Sequence, residues 1–216
     1  GRITAEAGEK VLANGNADLV AIGKGLLADP EFPGKAVSGR PEDIRPCIVC
    51  MSCRDDIRST TVTGIRCSVN ATLGKEAESR IVPTRQPERV LIAGGGPAGM
   101  EAARVAALRG HQVTICERES RLGGQLIPAA IPPHKDAIKP LIRYLETQVR
   151  KLGVKIELGA EVTGTLIEDI KPDVVILATG VIPLTPDIPG LDQAHTVQAV
   201  DVLQGRVEYL LYRPVE

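Results

Sequence analysis

The sequence predicts an α/β fold built on a parallel, doubly wound sheet, and three observations carry that prediction. An apolar strand, Val90 to Ala93, runs into a glycine turn and then an alanine-rich helix. Gly110 closes that helix, and "QVTIC" comes at once as a second strand. A longer helix from about Lys135 to Leu152, with Pro140 early in it, leads to "VKIEL" and "DVVILATG", two more strands. Strands alternating with helices in this way pair side by side and in the same direction.

Two further regions precede this one. In the first, residues 1–45, Thr4 is the expected N-cap of a helix over Ala5 to Ala13 that stops at Asn14-Gly15. "ADLVAIG", Ala17 to Gly23, is a short apolar run typical of a strand buried on both faces of a parallel sheet. Prolines and glycines between Pro30 and Pro41 then break the chain into short pieces. The second region, residues 46–86, holds four of the five cysteines and little periodicity, so something other than a hydrophobic core must order it. Residues 87–216 form the third region.

The chain has 216 residues, 43% of them apolar, enough for one large domain or two small ones. With 26 basic against 27 acidic residues, there is no net field to draw in nucleic acid or an anionic membrane. Aromatic residues are confined to Phe32, Tyr144, Tyr209 and Tyr212, too few for a base-stacking platform. No apolar run approaches the roughly 20 residues of a membrane span, and Gly1 to Lys10 has no signal-peptide pattern. The expected setting is the cytoplasm, with neither nucleic acid nor membrane as partner.

Cys47, Cys50, Cys53 and Cys67 are separated by two, two and thirteen residues in "CIVCMSCRDDIRSTTVTGIRC". A short loop can offer three thiolates to the corners of a cubic cluster while a returning segment brings the fourth, which favours a 4Fe-4S centre. Structural zinc is the alternative, although zinc sites usually pair their cysteines as two knuckles. Disulfides fit least, because cytosolic thiols stay reduced. Cys116 stands apart in the second strand and reads as a small buried apolar residue.

Gly94, Gly96 and Gly99 fit GxGxxG between a strand and a helix, and Glu117 ends the next strand 23 positions after Gly94. In that context Gly94 permits the tight turn and Gly96 the close approach of a pyrophosphate. Gly99 lets the helix pack closely on the sheet, and the helix N-terminus turns its free N–H groups to the phosphates. A carboxylate at Glu117 suits ribose hydroxyls and disfavours a 2′-phosphate, so the ligand class is FAD, ADP or NAD. "RLGGQL", Arg121 to Leu126, can lie along the rest of such a ligand, with a plain turn as the alternative, and "LATG", Leu177 to Gly180, ends its strand with small residues that permit close approach to a ligand, with a simple strand terminus as the alternative.

The order of "GKGLLADPEFPGK", the cysteine loop with its trailing "CSVNATLG", "GGGPAG", "LGGQL" and "ATG" resembles the NADH:flavin oxidoreductase family that includes trimethylamine dehydrogenase, histamine dehydrogenase and 2,4-dienoyl-CoA reductase. The resemblance covers the chain to about Gly205. It implies the C-terminal βα units of a TIM barrel that holds FMN, then a 4Fe-4S segment, then a Rossmann-like domain that holds FAD or ADP. By position, Gly23 and Lys24 match the grip on the FMN phosphate, with Gly1 and Arg2 at the turn before it. Many members have arginine where Lys24 stands. Cys47, Cys50, Cys53 and Cys67 match the cluster ligands. Gly94, Gly96, Pro97, Ala98, Gly99, Glu117, Arg118, Gly124, Gln125, Lys135, Val162, Ala178, Thr179 and Gly180 match positions around the dinucleotide.

The activity so implied moves electrons from NAD(P)H through FAD and the cluster to FMN and reduces an enoyl-type or other unsaturated small molecule. Amine dehydrogenation of the trimethylamine or histamine type, with electrons flowing outward, is the second possibility, and a non-catalytic nucleotide- and cluster-binding subunit the third. No residue of this chain is expected to be catalytic. The chain begins at glycine and ends at Pro214-Val215-Glu216. The expectation is therefore a fragment, a truncated product or half of a split enzyme, inactive alone and partnered by a complementing barrel subunit or a second copy.

Overall fold

The computed structural model describes residues 3–61, 64–191, 193 and 196–207; the expected roles of Gly1 and Arg2, and the end of the chain from residue 208, lie outside them. The chain opens with α1 (Ala5–Ala13), capped as expected by Thr4, whose Oγ1 accepts the Ala7 N–H at 3.1 Å. Next come α2 (Lys24–Ala28), α3 (Phe32–Val37) and a 3-10 turn (Pro41–Asp43).

The strand expected over Ala17 to Gly23 does not form. A parallel strand exists only where neighbours answer its N–H and C=O groups, and none of the four strands of the sheet lies in or beside this segment. Leu19, within the apolar run, is 87% exposed.

In the cysteine segment, helix α4 (Ser52–Arg58) begins at Met51, which is in the left-handed region at φ 67°. Polar clamps order this segment. Asp56, on α4, is buried, and its carboxylate accepts the Arg66 backbone N–H at 2.7 Å, Nε at 3.2 Å and a terminal guanidinium nitrogen at 2.7 Å. The clamp folds the limb carrying Cys67 back onto the helix carrying Cys53. Asn70 is also buried, donating through Nδ2 to the Leu27 carbonyl at 2.9 Å and accepting the Thr72 hydroxyl at 2.8 Å. Ile48 and Val69 pack against the edge of the hydrophobic core.

The third region builds that core. In chain order it contains β1 (Arg89–Ala93), α5 (Pro97–Leu108), β2 (Gln112–Glu117), α6 (Leu126–Ala129), α7 (Ile138–Lys151), β3 (Lys155–Leu158), α8 (Gly164–Ile170), β4 (Val174–Leu177) and α9 (Ala199–Leu203). The four strands are parallel in the order β3-β2-β1-β4, with Val90 opposite Val113 on one side and Val174 on the other. Ile92, Met100, Ile115 and Val149 are fully buried where α5 and α7 meet the sheet, and Leu91, between Val90 and Ile92 in β1, is fully buried as well. α7 begins at Ile138 rather than at Lys135, which places Pro140 in the first turn, where its missing N–H leaves no hydrogen bond unmade. Among the described residues no helix is long and apolar enough to cross a membrane.

Hydrogen bonding by the Arg66 side chain, then by its backbone N–H, holds the Asp56 carboxyl below the usual carboxylate range. A depressed pKa contributes stability that is complete above the unfolded value and is lost as pH falls through the folded one. The segment from Cys53 to Cys67 should therefore loosen below about pH 4. Asp56→Asn should be looser at neutral pH and lose that acid dependence, as read by amide hydrogen exchange across the segment between pH 3 and pH 7.

Candidate functional site

The sheet order sets the position of the site. From β1 the chain winds outward through β2 to β3, then returns to place β4 on the other flank of β1. A reversal of this kind opens a crevice beyond the carboxyl ends of the two strands that flank it, here at Gly94 after β1 and Ala178 after β4.

The glycines at this point answer different demands. Gly94 has φ 112°, and a Cβ there would collide with the Ala178 carbonyl; its own N–H donates to the Cys116 carbonyl at 2.8 Å. A Cβ on Gly99 would collide with the Gly94 carbonyl, so the close approach of α5 to the sheet requires glycine. Gly96 differs. It is the N-cap of α5 at φ −74°, a conformation open to any residue, and the nearest atom to a Cβ there would be the Gly124 Cα at 3.9 Å. Nothing among the described residues demands glycine at 96, and the space its missing side chain leaves opens at the head of a helix whose first N–H groups receive no side-chain cap from them. Gly124 faces it: a Cβ on Gly124 would lie 2.8 Å from the Gly96 Cα. Two runs of glycine backbone thus form a cradle that a pyrophosphate fits and a Cβ would fill.

Glu117 is buried at the end of β2. Its Oε2 accepts the Gly95 N–H at 2.6 Å and its Oε1 the Glu119 N–H at 2.9 Å. The carboxylate is fixed at the rim of the cradle, and each oxygen keeps a second lone pair for a hydroxyl. The Ala160 N–H donates to the Glu117 carbonyl at 3.0 Å, bringing the segment of Val162 to the same end of the sheet. The Gln125 side chain reaches the Val181 carbonyl at 3.5 Å, across the cradle from β4, while Thr179 and Gly180 are exposed beyond it. Gly94, Gly96, Pro97, Ala98, Gly99, Glu117, Gly124, Gln125, Ala178 and Thr179 are thus drawn to one crevice. Arg118 is exposed, its Nε 3.8 Å from the Glu119 carboxylate, and Lys135 is exposed in a turn ahead of α7.

The cysteine loop carries four thiols free of disulfides, with Cys47, Cys53 and Cys67 half-buried and Cys50 exposed. Val49 and Met51 are both left-handed, at φ 56° and 67°, and curl the backbone between the first three cysteines. The Val49 N–H donates to Cys47 Sγ at 3.4 Å. Cys50 Sγ donates to the Ser68 hydroxyl at 3.2 Å and accepts from that of Ser52 at 3.4 Å. Burial would raise the Cys50 thiol, but these hydroxyl contacts and backbone hydrogen bonds outweigh it and leave it below the ordinary thiol value. Among the described residues no three His, Cys, Asp or Glu side chains converge as the ligands of a metal ion do. The donor set itself, four free thiols with amide and hydroxyl donors aimed at two of the sulfurs, has the chemistry that a thiolate-held cluster requires. Cys116 is buried, and burial raises its thiol, as suits an inert core residue.

Lys24 donates from Nζ to the Met51 thioether at 3.5 Å, a weak acceptor for an ammonium group. It lines a cavity of about 570 Å³ together with Thr4, Gly23, Arg45, Cys47 and Tyr144. The expected phosphate grip therefore opens onto the cysteine loop.

Arg45, read in the sequence only as a boundary, is the residue that joins these parts. Its backbone N–H donates to buried Asp29 at 2.7 Å, and its guanidinium reaches Asn70 at 3.3 Å and Glu101 at 3.7 Å and lies over the Tyr144 ring, 5.7 Å from its centroid. A lone arginine ahead of a cysteine carries no periodic signal.

A parallel sheet with a glycine cradle at its switch point, next to a loop of four free thiols, defines a dinucleotide-binding fold of oxidoreductase type. Residues 88–208 match the pyridine nucleotide-disulphide oxidoreductase family. The metal reductase of Desulforamulus reducens and the NADH oxidase of Thermoanaerobacter brockii are each 44% identical to the chain over 94% of its length, and over 31% and 32% of their own. A solved structure of 2-naphthoyl-CoA reductase in complex with 2-naphthoyl-CoA superposes with a TM-score of 0.90 at 37% identity, over 94% of this chain and 31% of that one. The chain belongs to the NADH:flavin oxidoreductase family that includes 2,4-dienoyl-CoA reductase and trimethylamine dehydrogenase. It spans about a third of the length of these relatives.

The glycines separate by experiment. Gly94→Ala and Gly99→Ala should each cost about 1–3 kcal/mol of folding stability. Gly96→Ala should cost under about 1 kcal/mol, yet weaken dinucleotide binding at least about tenfold. Thermal melts and nucleotide titration of the three variants check this.

Proposed function

We propose that this chain is the electron-relay part of an iron-sulfur flavoprotein that carries electrons from NAD(P)H through FAD and a 4Fe-4S cluster to FMN and reduces an enoyl-type or other unsaturated small molecule. The observation that carries the reading is the space at Gly96, facing Gly124, for which packing among the described residues gives no reason, tied through Arg45 to a loop of four free thiols. The reductase and NADH oxidase relatives support the direction of electron flow.

In this reading the N–H groups at the head of α5 bind the pyrophosphate of the dinucleotide, and Glu117 orients the adenosine ribose. Cys47, Cys50, Cys53 and Cys67 hold the cluster, with the Val49 N–H and the Ser52 hydroxyl stabilising charge on the sulfurs. Gly23 and Lys24 contribute to the grip on the FMN phosphate. When bound, the flavins supply two-electron chemistry and the cluster one-electron transfer between them. The residues that recognise and protonate substrate belong to the remainder of the barrel.

Anaerobically purified protein should contain about four irons and four acid-labile sulfides per chain, with FAD or ADP released on denaturation and little zinc. Zinc without sulfide would replace this reading with a nucleotide-binding domain on a structural metal.

A further inference from the structure

Arg45 lies two residues before the first cysteine, its side chain only 13% exposed, and it is bonded to each of the three parts of the molecule. Toward α2 and α3, its N–H meets Asp29, which also accepts Lys35 Nζ at 2.8 Å and the Glu31 N–H at 3.0 Å. Toward the returning limb of the cysteine loop, its guanidinium meets Asn70, three residues after Cys67, whose own amide is tied to the Leu27 carbonyl. Toward the sheet unit, it meets Glu101, one turn along α5 from the glycine cradle, and Tyr144 of α7. Glu101 is itself held by Arg104 through two contacts of 2.7 and 2.8 Å, so the acceptor is already oriented.

We propose that Arg45 is a positioning residue that fixes the cysteine loop, and with it the cluster, against the helix that begins at the dinucleotide cradle. The inference rests on the reading of the loop as a cluster site, but its mechanical half does not: a rigid link from Cys47 to α5 exists whether or not iron is bound. Arginine suits the task because its planar fork satisfies Asn70 and Glu101 at once while its face covers an aromatic ring. Lysine, a point charge on a flexible stem, can serve one of these partners at a time. Asn70 and Glu101 lie on separate segments, so the loss of the fork frees the loop from both, while the backbone bond from the Arg45 N–H to Asp29 remains.

The experiment compares wild type with Arg45→Gln, Arg45→Lys and Glu101→Gln in the cluster-loaded chain. The readouts are amide exchange over residues 46–51, the electron paramagnetic resonance spectrum of the dithionite-reduced cluster, and ADP affinity. In Arg45→Gln, exchange should rise at least about tenfold as local opening becomes easier, and the cluster spectrum should broaden while ADP affinity stays within about twofold. Arg45→Lys should recover part of both losses, and Glu101→Gln should show a smaller change in the same direction. Wild-type exchange and an unaltered spectrum in Arg45→Gln would overturn the proposal. If Arg45→Gln does not fold, Glu101→Gln decides, and its matching wild type in both readouts overturns it. Absence of iron from the wild type would sink the cluster reading, yet the exchange comparison would still test the link.

Discussion

A single guanidinium, that of Arg45, stands where three stretches of chain meet. A charge with 13% of its side chain exposed is tolerable only if its partners are in place, and those partners come from residues 29, 70, 101 and 144. Around it lie other buried polar groups of the same kind: Asp29 with three donors, Asn70 bridging to α2, and Asp56 clamped by Arg66. Among the described residues no buried side-chain polar atom lacks a partner. Among the described residues of the cysteine segment only Asp56 and Asn70 are buried, and directional hydrogen bonds rather than apolar burial hold it. Such bonds fix the backbone of the loop, because charge-assisted hydrogen bonds set angles as well as proximity.

The sheet unit obeys a different constraint. Its core is apolar and continuous, so its geometry comes from packing, and the crevice at its switch point comes from strand order. The two glycine demands meet there. Gly94 and Gly99 are required by the backbone around them; Gly96 is required by nothing among the described residues. That contrast ties the crevice to a ligand more directly than the motif does, since the motif treats the three alike.

Legibility in the sequence divides along the same line. β1, β2, β3 and β4 and the helices α1, α5 and α7 lie where the pattern placed them, to within about three residues at α7, because local periodicity and packing agree there. The expectation failed at Ala17 to Gly23, where the apolar run forms no strand and pairs with none of the four strands of the sheet. Cys47, Cys50, Cys53 and Cys67 were legible as a set by their spacing, and Gly94 to Glu117 by strand, turn and acid in order. Arg45, Asn70, Asp56 and Arg66 were not, because pairs ten to fifty-six residues apart in a loop leave no periodic trace. Helix α4 was missed for a related reason: it is seven residues long and is held by its buried Asp56 rather than by an apolar stripe.

Whether the four cysteines enclose a cluster next to a dinucleotide site is addressed most directly by diffraction from anaerobically grown crystals, recorded on both sides of the iron absorption edge. One compact anomalous peak of about four irons is expected, enclosed by Cys47, Cys50, Cys53 and Cys67 and on the Arg45 side of the glycine cradle. A single zinc-edge peak among those cysteines, or disulfides joining them, would contradict it.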